Sequence, residues 1–243
     1  MKVVIVAAGR GSRLATMSDS KPLVQLSGKP LLEHIVETVV AASGAEKKPE
    51  IIIVTGWNSH QTESLARQLN RQLPAHITTM YNEDWQKGNG TSVLAARAAI
   101  DEPFVLLMAD HIVDVKILRD LMDSKLGDAG LLLAVDFKLT NPMVDLDDVT
   151  RVQCEGEYIT AIGKHLEPYN GFDTGCFLCS PTFFVALTKA QERSGDFGIS
   201  GGVRMLAGMK QARAVDIGPA EWVDVDTPEM LEMARGLLQT RFT

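Results

Sequence analysis

The sequence predicts an α/β fold built on a doubly wound, mixed but mostly parallel β-sheet. Apolar, β-branched runs alternate with helix-patterned segments from residue 3 onward, which is typical of βαβ units. Right-handed crossovers would place helices on both faces of the sheet. After about residue 130 the strand-like runs follow one another more closely, which indicates a smaller, β-rich second part. We expect one domain over residues 1–243, with halves of about 1–130 and 131–243.

In the first half, strands and helices are expected in alternation. Continuous apolar runs are typical of strands covered on both faces, and they predict strands at 3–7, 51–54, 77–81 and 104–109. Apolar residues at helical spacing predict helices at 30–44, 60–73 and 91–100. Pro30 suits the first turn of its helix, because the N–H that proline lacks has no partner there.

In the second half, strands dominate. They are expected at 131–135, 151–154, 158–162, 172–178 and 222–225. Gly156 and Glu157 lie between two of these runs and predict a hairpin turn. One helix is expected to follow Pro181 and another to begin at Pro228.

The charge balance excludes some classes of partner. The 243 residues include 24 Lys and Arg against 31 Asp and Glu, a net charge of −7, whereas nucleic-acid and membrane-surface binding need clustered cations. We therefore expect neither partner, although a few local cations could hold a small anion. Three cysteines are too few for a disulfide framework. No apolar run approaches the roughly 20 residues that span a bilayer, so a cytoplasmic location is expected.

A glycine-rich loop joins the first strand to the first helix. It reads AAGRGSRL over 7–14, and Lys-Pro-Leu follows at 21–23. Glycines at the carboxyl end of a strand let backbone N–H groups approach an anion closely. Leu14 stands where a dinucleotide fingerprint needs a small residue, and the loop lacks the Gly-Lys-Ser/Thr of a Walker A motif. A solvated loop remains the alternative. The candidate anion-binding residues are Ala8, Gly9, Gly11, Ser12, Arg13 and Lys21.

A second glycine-rich segment, KGNGTS at 87–92, opens the alanine-rich helix. Asn89 or Thr91 would serve as the N-cap of that helix, which is the simpler explanation. The N–H groups and hydroxyls of a helix start can also donate hydrogen bonds to a ligand. Both roles can hold together, since a capped helix start still presents donors.

Aspartates end two of the predicted strands. Asp110 follows the run 104–109, and Asp224 and Asp226 alternate with two valines, so these last two aspartates should share one face. Asp110 and Asp226 could each cap the helix that follows. Mg²⁺ usually takes one or two carboxylates together with phosphate and water, which makes a metal site the competing interpretation.

The first loop resembles the signature of the nucleotidyltransferases, which activate a phosphorylated alcohol or sugar with an NTP on a Rossmann-like, glycosyltransferase-A-like sheet. The resemblance rests on a strand, Ala-Gly-x-Gly-x-Arg and the later Lys-Pro-Leu. Further motifs occur in order along nearly the whole chain: KGNG at 87–90, Asp-His at 110–111, IGK at 162–164, DTG at 173–175 and WVDVDT at 222–227. Together they resemble the CTP:inositol-1-phosphate cytidylyltransferase family. Ala109 departs from the glycine that the family usually has before Asp-His.

The resemblance implies a division of roles. The half 1–130 would bind CTP or another NTP, with the glycine loop on the triphosphate and Arg13 and Lys21 as catalytic cations. Asp110 and Asp226 would hold Mg²⁺. The half 131–243 would bind a phosphorylated small-molecule acceptor. The segment that would read the base and ribose consists of Gly88, Asn89, Gly90 and Thr91.

Two acceptor-site residues follow from the same resemblance. Lys164 and Gly175 match positions that face the acceptor in the family. Lys164 could equally be a solvated loop lysine, and Gly175 could be only a strand glycine, although glycine inside an apolar strand often marks the close approach of a ligand.

The implied reaction is transfer of CMP from CTP to inositol 1-phosphate, giving a CDP-alcohol and pyrophosphate. Rivals in the same class use phosphocholine, a phosphonate or a sugar 1-phosphate. Asp224-Val225-Asp226 also fits the metal motif of a glycosyltransferase, and a nucleotide sensor without turnover is a third class. Cys176 and Cys179 are expected to be buried structural residues, and the role of His111 stays open.

Overall fold

The computed structural model describes residues 1–14, 16–44 and 47–240, with the side chains of residues 12, 239 and 240 outside the description. The strands are β1 (Lys2–Ala7), β2 (Gln25–Leu26), β3 (Lys29–Pro30), β4 (Glu50–Thr55), β5 (His76–Tyr81), β6 (Phe104–Met108), β7 (His111–Val113), β8 (Leu131–Asp136), β9 (Arg151–Glu155), β10 (Tyr158–Gly163), β11 (Gly171–Cys179), β12 (Ala212–Asp216) and β13 (Trp222–Asp224). The helices are α1 (Leu31–Ser43), α2 (Ser59–Gln72), α3 (Asn89–Ala95), α4 (Val115–Asp123), α5 (Thr182–Ser194), α6 (Ile199–Ala207) and α7 (Pro228–Thr240).

Nine strands form the central sheet in the order β5-β4-β1-β6-β11-β8-β12-β10-β9. Strands β5, β4, β1 and β6 are parallel to their neighbours in this series, and β12 is parallel to β8. Strand β11 runs antiparallel to both β6 and β8, and β10 runs antiparallel to β9 and β12. The mixed sheet is therefore confirmed, and its parallel pairing is concentrated in the first half of the chain.

Helices cover both faces of this sheet. The apolar side chains of α1, α2, α4 and α7 pack in one core cluster, and those of α3, α5 and α6 pack in the other. Strand β1 shows why, since Val3 and Ile5 enter the first cluster and Val4 and Val6 the second. The doubly wound arrangement predicted from the buried apolar runs is confirmed.

One predicted helix is shorter than expected. The segment 91–100 was predicted to be one helix, but α3 ends at Ala95 and a 3-10 turn covers Arg97–Ala99. The N–H of Ala96 donates to the carbonyl of Val93, three residues back, and this tighter bonding ends the α-helix. The N-cap is Gly88 rather than Asn89 or Thr91. Pro30 likewise lies at the N-cap of α1, one residue before the predicted first turn.

The prediction did not include β2, β3, β7, α4, α6 and β12. Strand β7 has three residues, and α6 contains adjacent glycines at 201 and 202, which weaken a helical pattern. The hairpin at 156–157 is confirmed, because β9 and β10 pair antiparallel around Gly156, whose φ is +59°. No helix among the described residues is long and apolar enough to cross a bilayer.

The cysteines of β11 are buried, as predicted. Cys176 packs in the core cluster on one face of the sheet and Cys179 packs in the cluster on the other. Burial raises the pKa of the Cys176 thiol to about 12, so it is protonated at neutral pH and unsuited to nucleophilic or metal-binding roles.

A small ribbon completes the part of the fold that carries the candidate site. Strand β13 pairs antiparallel with β7, and the register places Asp224 opposite His111. Val223 and Val225 are fully buried, so the aspartates that alternate with them face away from the core, as the sequence predicted. This ribbon brings residues 222–226 to the carboxyl end of β6.

Candidate active site

A cavity of about 380 Å³ lies at the carboxyl ends of β1 and β6. Open α/β sheets bind ligands at this edge, because the loops that follow the strands meet there. The predicted site residues that line it are Gly9, Gly11, Arg13, Lys21, Asn89, Asp110, Lys164, Gly175 and Asp226.

Lys21 occupies the centre of a carboxylate cluster. It lies on a 3-10 turn, Lys21–Leu23, and only 8% of its side chain is exposed. Its Nζ lies 2.6 Å from Asp110 Oδ2, donates a second hydrogen bond to Asp226 Oδ1, and lies 3.5 Å from Asp224 Oδ1. Three aspartates that are far from Lys21 in the sequence therefore meet on its ammonium group.

Gly11 explains how Lys21 reaches this position. Its φ is +65°, and a Cβ there would lie 2.3 Å from the Cβ of Lys21. The glycine is therefore required both by the left-handed backbone and by the close packing of the lysine stem. The glycine motif thus positions a cation as well as presenting N–H groups.

Electrostatics fix the charges of this cluster. Burial alone would lower the pKa of Lys21, but the three surrounding carboxylates outweigh it and raise the pKa. Burial would raise the pKa of Asp110, yet the charges of Lys21 and His111 bring it well below its usual range. The two residues are therefore ionised at neutral pH as a buried ion pair.

His111 supports Asp110 from the other side. Its Nδ1 lies 2.7 Å from Asp110 Oδ1, and its ring stacks on that of Trp222 at 5.9 Å between centroids. Burial alone would lower its pKa, but the nearby carboxylates of Asp224 and Asp110 outweigh burial and raise the pKa to about 9. The imidazole is therefore protonated at neutral pH. Gly175 packs against the His111 ring. Its φ is +72°, and a Cβ there would lie 2.7 Å from the ring, so a larger residue would not fit.

Asp224 carries an unsatisfied oxygen. Its Oδ1 is buried and has no hydrogen-bond partner among the described residues. Burial raises its pKa to about 7, since a carboxylate without hydrogen bonds is costly in such a place. A carboxylate oxygen of Asp224 lies within 4.8 Å of ligand atoms of Asp110 and His111, and one also lies within 4.8 Å of ligand atoms of Asp148 and Asp226. The sequence predicted that Asp224 shares a face with Asp226 but did not include Asp224 among the candidate metal ligands.

A more exposed network lies across the cavity. Arg13 Nη2 lies 2.7 Å from Asp226 Oδ2 and 2.7 Å from Asp148 Oδ2. The other oxygen of Asp148 accepts a hydrogen bond from Lys164. Arg13 and the two strand-end aspartates, Asp110 and Asp226, therefore lie on the same cavity, as the sequence required of a common polyanion site.

Sequence reasoning missed Asp148. It lies in the loop between β8 and β9, next to Asp145 and Asp147, and a loop has no periodicity that shows which carboxylate faces inward. The only available signal was an acidic cluster shortly before the predicted acceptor-binding strands. Asp173, on the DTG segment, also lines the cavity, and burial raises its pKa to about 6.

Hydrogen bonds to neighbouring segments hold the KGNG segment in place. The N–H of Gly90 donates to the carbonyl of Phe197 at 2.9 Å, and the hydroxyl of Thr91 donates to the carbonyl of Gly88 at 2.7 Å. Asn89 lines the cavity, and its Oδ1 accepts a hydrogen bond from the N–H of Ile199. The nucleotide contacts expected of this segment stay predictions.

The remaining loop residues differ in position. The carbonyl of Ala8 accepts a hydrogen bond from the N–H of Trp57 at 2.9 Å, and Ala8 itself is buried. Arg10 stacks over the ring of Trp57 at 4.8 Å and is not among the cavity-lining residues. Ser12 begins a 3-10 turn that continues to Leu14, and its side chain lies outside the described residues.

The fold is the one seen in solved nucleotidyltransferases. The fold matches the solved inositol-1-phosphate CTP transferase from T. maritima with a TM-score of 0.80 at 19% identity, covering 96% of each chain. The chain belongs to the MobA-like NTP transferase domain family, which matches residues 3–154.

Two curated relatives extend the comparison. The chain is 38% identical to the bifunctional IPC transferase and DIPP synthase of Rubrobacter xylanophilus over 239 residues, covering 96% of this chain and 51% of that protein. It is 28% identical to the UTP--glucose-1-phosphate uridylyltransferase AglF of Haloferax volcanii, covering 100% of this chain and 98% of that one. The chain therefore spans about half the length of the bifunctional relative.

Proposed function

We propose that this protein transfers CMP from CTP to a phospho-alcohol, inositol 1-phosphate, with release of pyrophosphate. The observation that carries the proposal is the convergence of Arg13 and Lys21 with Asp110 and Asp226 on one cavity beside the glycine loop. The similarity to the inositol-1-phosphate CTP transferase and to the IPC transferase and DIPP synthase supports the choice of substrates.

The cavity suits a polyanion on physical grounds. A nucleoside triphosphate brings about four negative charges into a partly dry cleft, where cations and oriented N–H groups must replace water. Among the described residues, Arg13, Lys21 and Lys164 are the Lys and Arg residues that line the cavity. We assign Arg13 and Lys21 to the charge that develops on the departing pyrophosphate.

The residues present fit a magnesium ion. Mg²⁺ prefers hard oxygen ligands, and the buried Oδ1 of Asp224 accepts no hydrogen bond from a described residue, although Lys21 Nζ lies 3.5 Å from it. Asp110, Asp226 and Asp224 would hold the ion. When bound, it would supply positive charge to the phosphate oxygens.

The chemistry needs no general base from the protein. A phosphate monoester has a second pKa near 6 and is mostly a dianion at neutral pH. An oxygen of the acceptor phosphate attacks the α-phosphorus of CTP, and the bond to pyrophosphate breaks. Catalysis then depends on orientation and charge stabilisation, which is consistent with a site built from cations, glycines and carboxylates.

The acceptor would bind in the half formed by residues 131–243. Lys164, Asp173 and Gly175 line the same cavity as Arg13. We assign Lys164 to the acceptor phosphate, while Asp173, raised in pKa to about 6 by burial, could accept hydrogen bonds from acceptor hydroxyls. We further propose that both halves form one catalytic domain.

Pyrophosphate release tests the substrates directly. Purified protein is incubated with each of four NTPs, a panel of phospho-alcohols and Mg²⁺, and turnover should be greatest with CTP and inositol 1-phosphate. Free inositol and reactions without acceptor are the controls, because neither supplies the attacking phosphate. EDTA should abolish turnover and added Mg²⁺ should restore it. Release by no pair of substrates would contradict the proposal.

A second candidate is uridylyl transfer to a sugar 1-phosphate. It is favoured by the relative from Haloferax volcanii, which this chain matches over the whole length of both. The same assay separates the two, since turnover with UTP and glucose 1-phosphate, at least tenfold above that with CTP and inositol 1-phosphate, would establish the second candidate.

A further inference from the structure

Asp148 pairs with two cations that come from distant segments of the chain. Arg13 follows β1, in the glycine loop, and its Nη2 lies 2.7 Å from Asp148 Oδ2. Lys164 follows β10 directly and donates a hydrogen bond to Asp148 Oδ1. These hydrogen bonds outweigh the burial that would raise the pKa of Asp148 and bring it below its usual range, so its carboxylate is charged.

Arg13 and Lys164 are therefore already ion-paired with Asp148 before a phosphate binds. Arg13 also binds Asp226, so two carboxylates already share its guanidinium. Among the described residues of the cavity wall, carboxylates outnumber Lys and Arg. The carboxylates are Asp110, Asp145, Asp148, Asp173, Asp224 and Asp226, and the Lys and Arg residues are Arg13, Lys21 and Lys164.

The Asp148 pairs are the ones that a substrate can exchange at small cost. The side chains of Arg13 and Lys164 are 48% and 52% exposed, whereas that of Lys21 is 8% exposed. An ion pair that is this exposed contributes little to stability, because water and salt screen it. A phosphate presents the same kind of oxygen acceptors as a carboxylate, so it can take the place of Asp148 on either cation.

We propose that Asp148 is a positioning residue. In the free enzyme its carboxylate binds both Arg13 and Lys164, and it releases them to the phosphates when the substrates bind. This inference rests on the proposed function, because it requires Arg13 and Lys164 to bind phosphates. It also couples the two substrates, since an NTP that takes Arg13 removes one of the two cations of Asp148.

The test is phosphate affinity in the Asp148→Asn variant. Binding of CTP and of inorganic pyrophosphate to the full chain is measured by calorimetry with Mg²⁺ and no acceptor. We expect dissociation constants about three- to fivefold lower than in wild type, the scale of one partly exposed ion pair. Asp148→Glu restores a carboxylate and should return them to within twofold of wild type. Tighter binding is a gain that unfolding cannot produce.

Asp147→Asn is the matched control. Asp147 lies in the same loop, is exposed, and forms no ion pair with a described residue, so the substitution removes the same charge without freeing a cation. Its dissociation constants should stay within 1.5-fold of wild type. Equal effects of the two variants would overturn the proposal, because they would show only a general effect of net charge.

Two further outcomes are decisive. Weaker binding in Asp148→Asn, with a higher Mg²⁺ concentration at half-saturation, would overturn the proposal and make Asp148 a metal ligand beside Asp224 and Asp226. Wild-type protein that turns over CTP while Asp148→Asn binds phosphates as wild type does would overturn this inference alone. Wild-type protein that neither binds CTP nor releases pyrophosphate would overturn the proposed function with it.

Discussion

The cavity contains two ion-pair networks that differ in how they are built. Lys21 is buried among Asp110, Asp224 and Asp226, and each of these positions is fixed by a strand end or a tight turn. Arg13 and Lys164 are half exposed and meet on Asp148, in a loop without regular structure. The two networks meet at Asp226, which also pairs with Arg13. The first is part of the folded core, and the second can be rearranged by a ligand. The difference predicts that substitutions in the two networks affect stability and activity in different proportions.

The largest effect is expected for Lys21→Met. Loss of the ammonium leaves three carboxylates without their common partner, and breaking a buried ion pair costs about 3–5 kcal/mol. The free energy of unfolding, measured with urea, should fall by that amount, and kcat should fall at least about 10²-fold, the scale of one preorganised donor.

Lys29→Met is the control for that variant. Lys29 pairs with Glu33 and Glu37 away from the cavity and is 44% exposed, so its unfolding free energy should change by less than about 1 kcal/mol. A Lys21→Met protein that is as active as Lys29→Met would show that the buried network has no part in turnover.

Arg13→Ala should separate activity from stability. We expect a loss in kcat of about 10²-fold or more, with a change in unfolding free energy within about 1 kcal/mol, because the pairs of Arg13 are partly exposed. Pyrophosphate release and urea unfolding are measured on the same preparation. Arg235→Ala, which removes an exposed pair with Glu232, should leave both unchanged. Full turnover of Arg13→Ala would make the assignment wrong.

The pH dependence of stability tests His111. Its pKa is raised from 6.5 to about 9 in the folded protein. The stabilisation is therefore fully present below about pH 6.5 and is lost as the pH rises through 9. The stability difference between wild type and His111→Gln should narrow by about 1–3 kcal/mol between pH 6 and pH 10, since one pKa unit corresponds to about 1.4 kcal/mol. Urea unfolding across this range measures it, and a constant difference would exclude a protonated imidazole.

An effect on stability of about the same size is expected for Gly175→Ala. The new Cβ meets the ring of His111 and the φ of +72° disfavours alanine, which should destabilise the protein by about 1–3 kcal/mol. Gly156→Ala is the control, since its φ is also positive but a Cβ there meets no atom within 4 Å. Because the displaced ring supports Asp110, Gly175→Ala should also lose activity, while Gly156→Ala should keep it. Equal activity in both would limit Gly175 to a backbone role.

The buried network was largely predictable from the sequence. Asp110 ends an apolar run, and Asp226 alternates with buried valines, so both were expected at the edge where parallel strands end. Lys21 belonged to the recognisable loop motif. The paired position of Asp224 on the same face also followed from alternation, but nothing in the sequence showed that its oxygen would lack a hydrogen bond.

The exposed network was only partly predictable, for a physical reason. Arg13 and Lys164 belong to motifs, whereas Asp148 is one of three aspartates in an irregular loop. Its position depends on long-range packing, because buried Asp136 accepts hydrogen bonds from Asn141 of that loop and from the indole of Trp222. Side-chain contacts of this kind produce no periodic pattern of residues that a single sequence could reveal.

The β7–β13 ribbon has a consequence for the order of events during synthesis. Strand β13 and Asp226 follow Asp110 by more than one hundred residues, so Lys21 and Asp110 are made much earlier. A nascent chain emerging from the ribosome therefore has its lysine and first aspartate in place before the other two carboxylates arrive. The carboxylate cluster around Lys21 is therefore complete only after residue 226 has left the ribosome, and the proposed nucleotidyl transfer cannot begin before then.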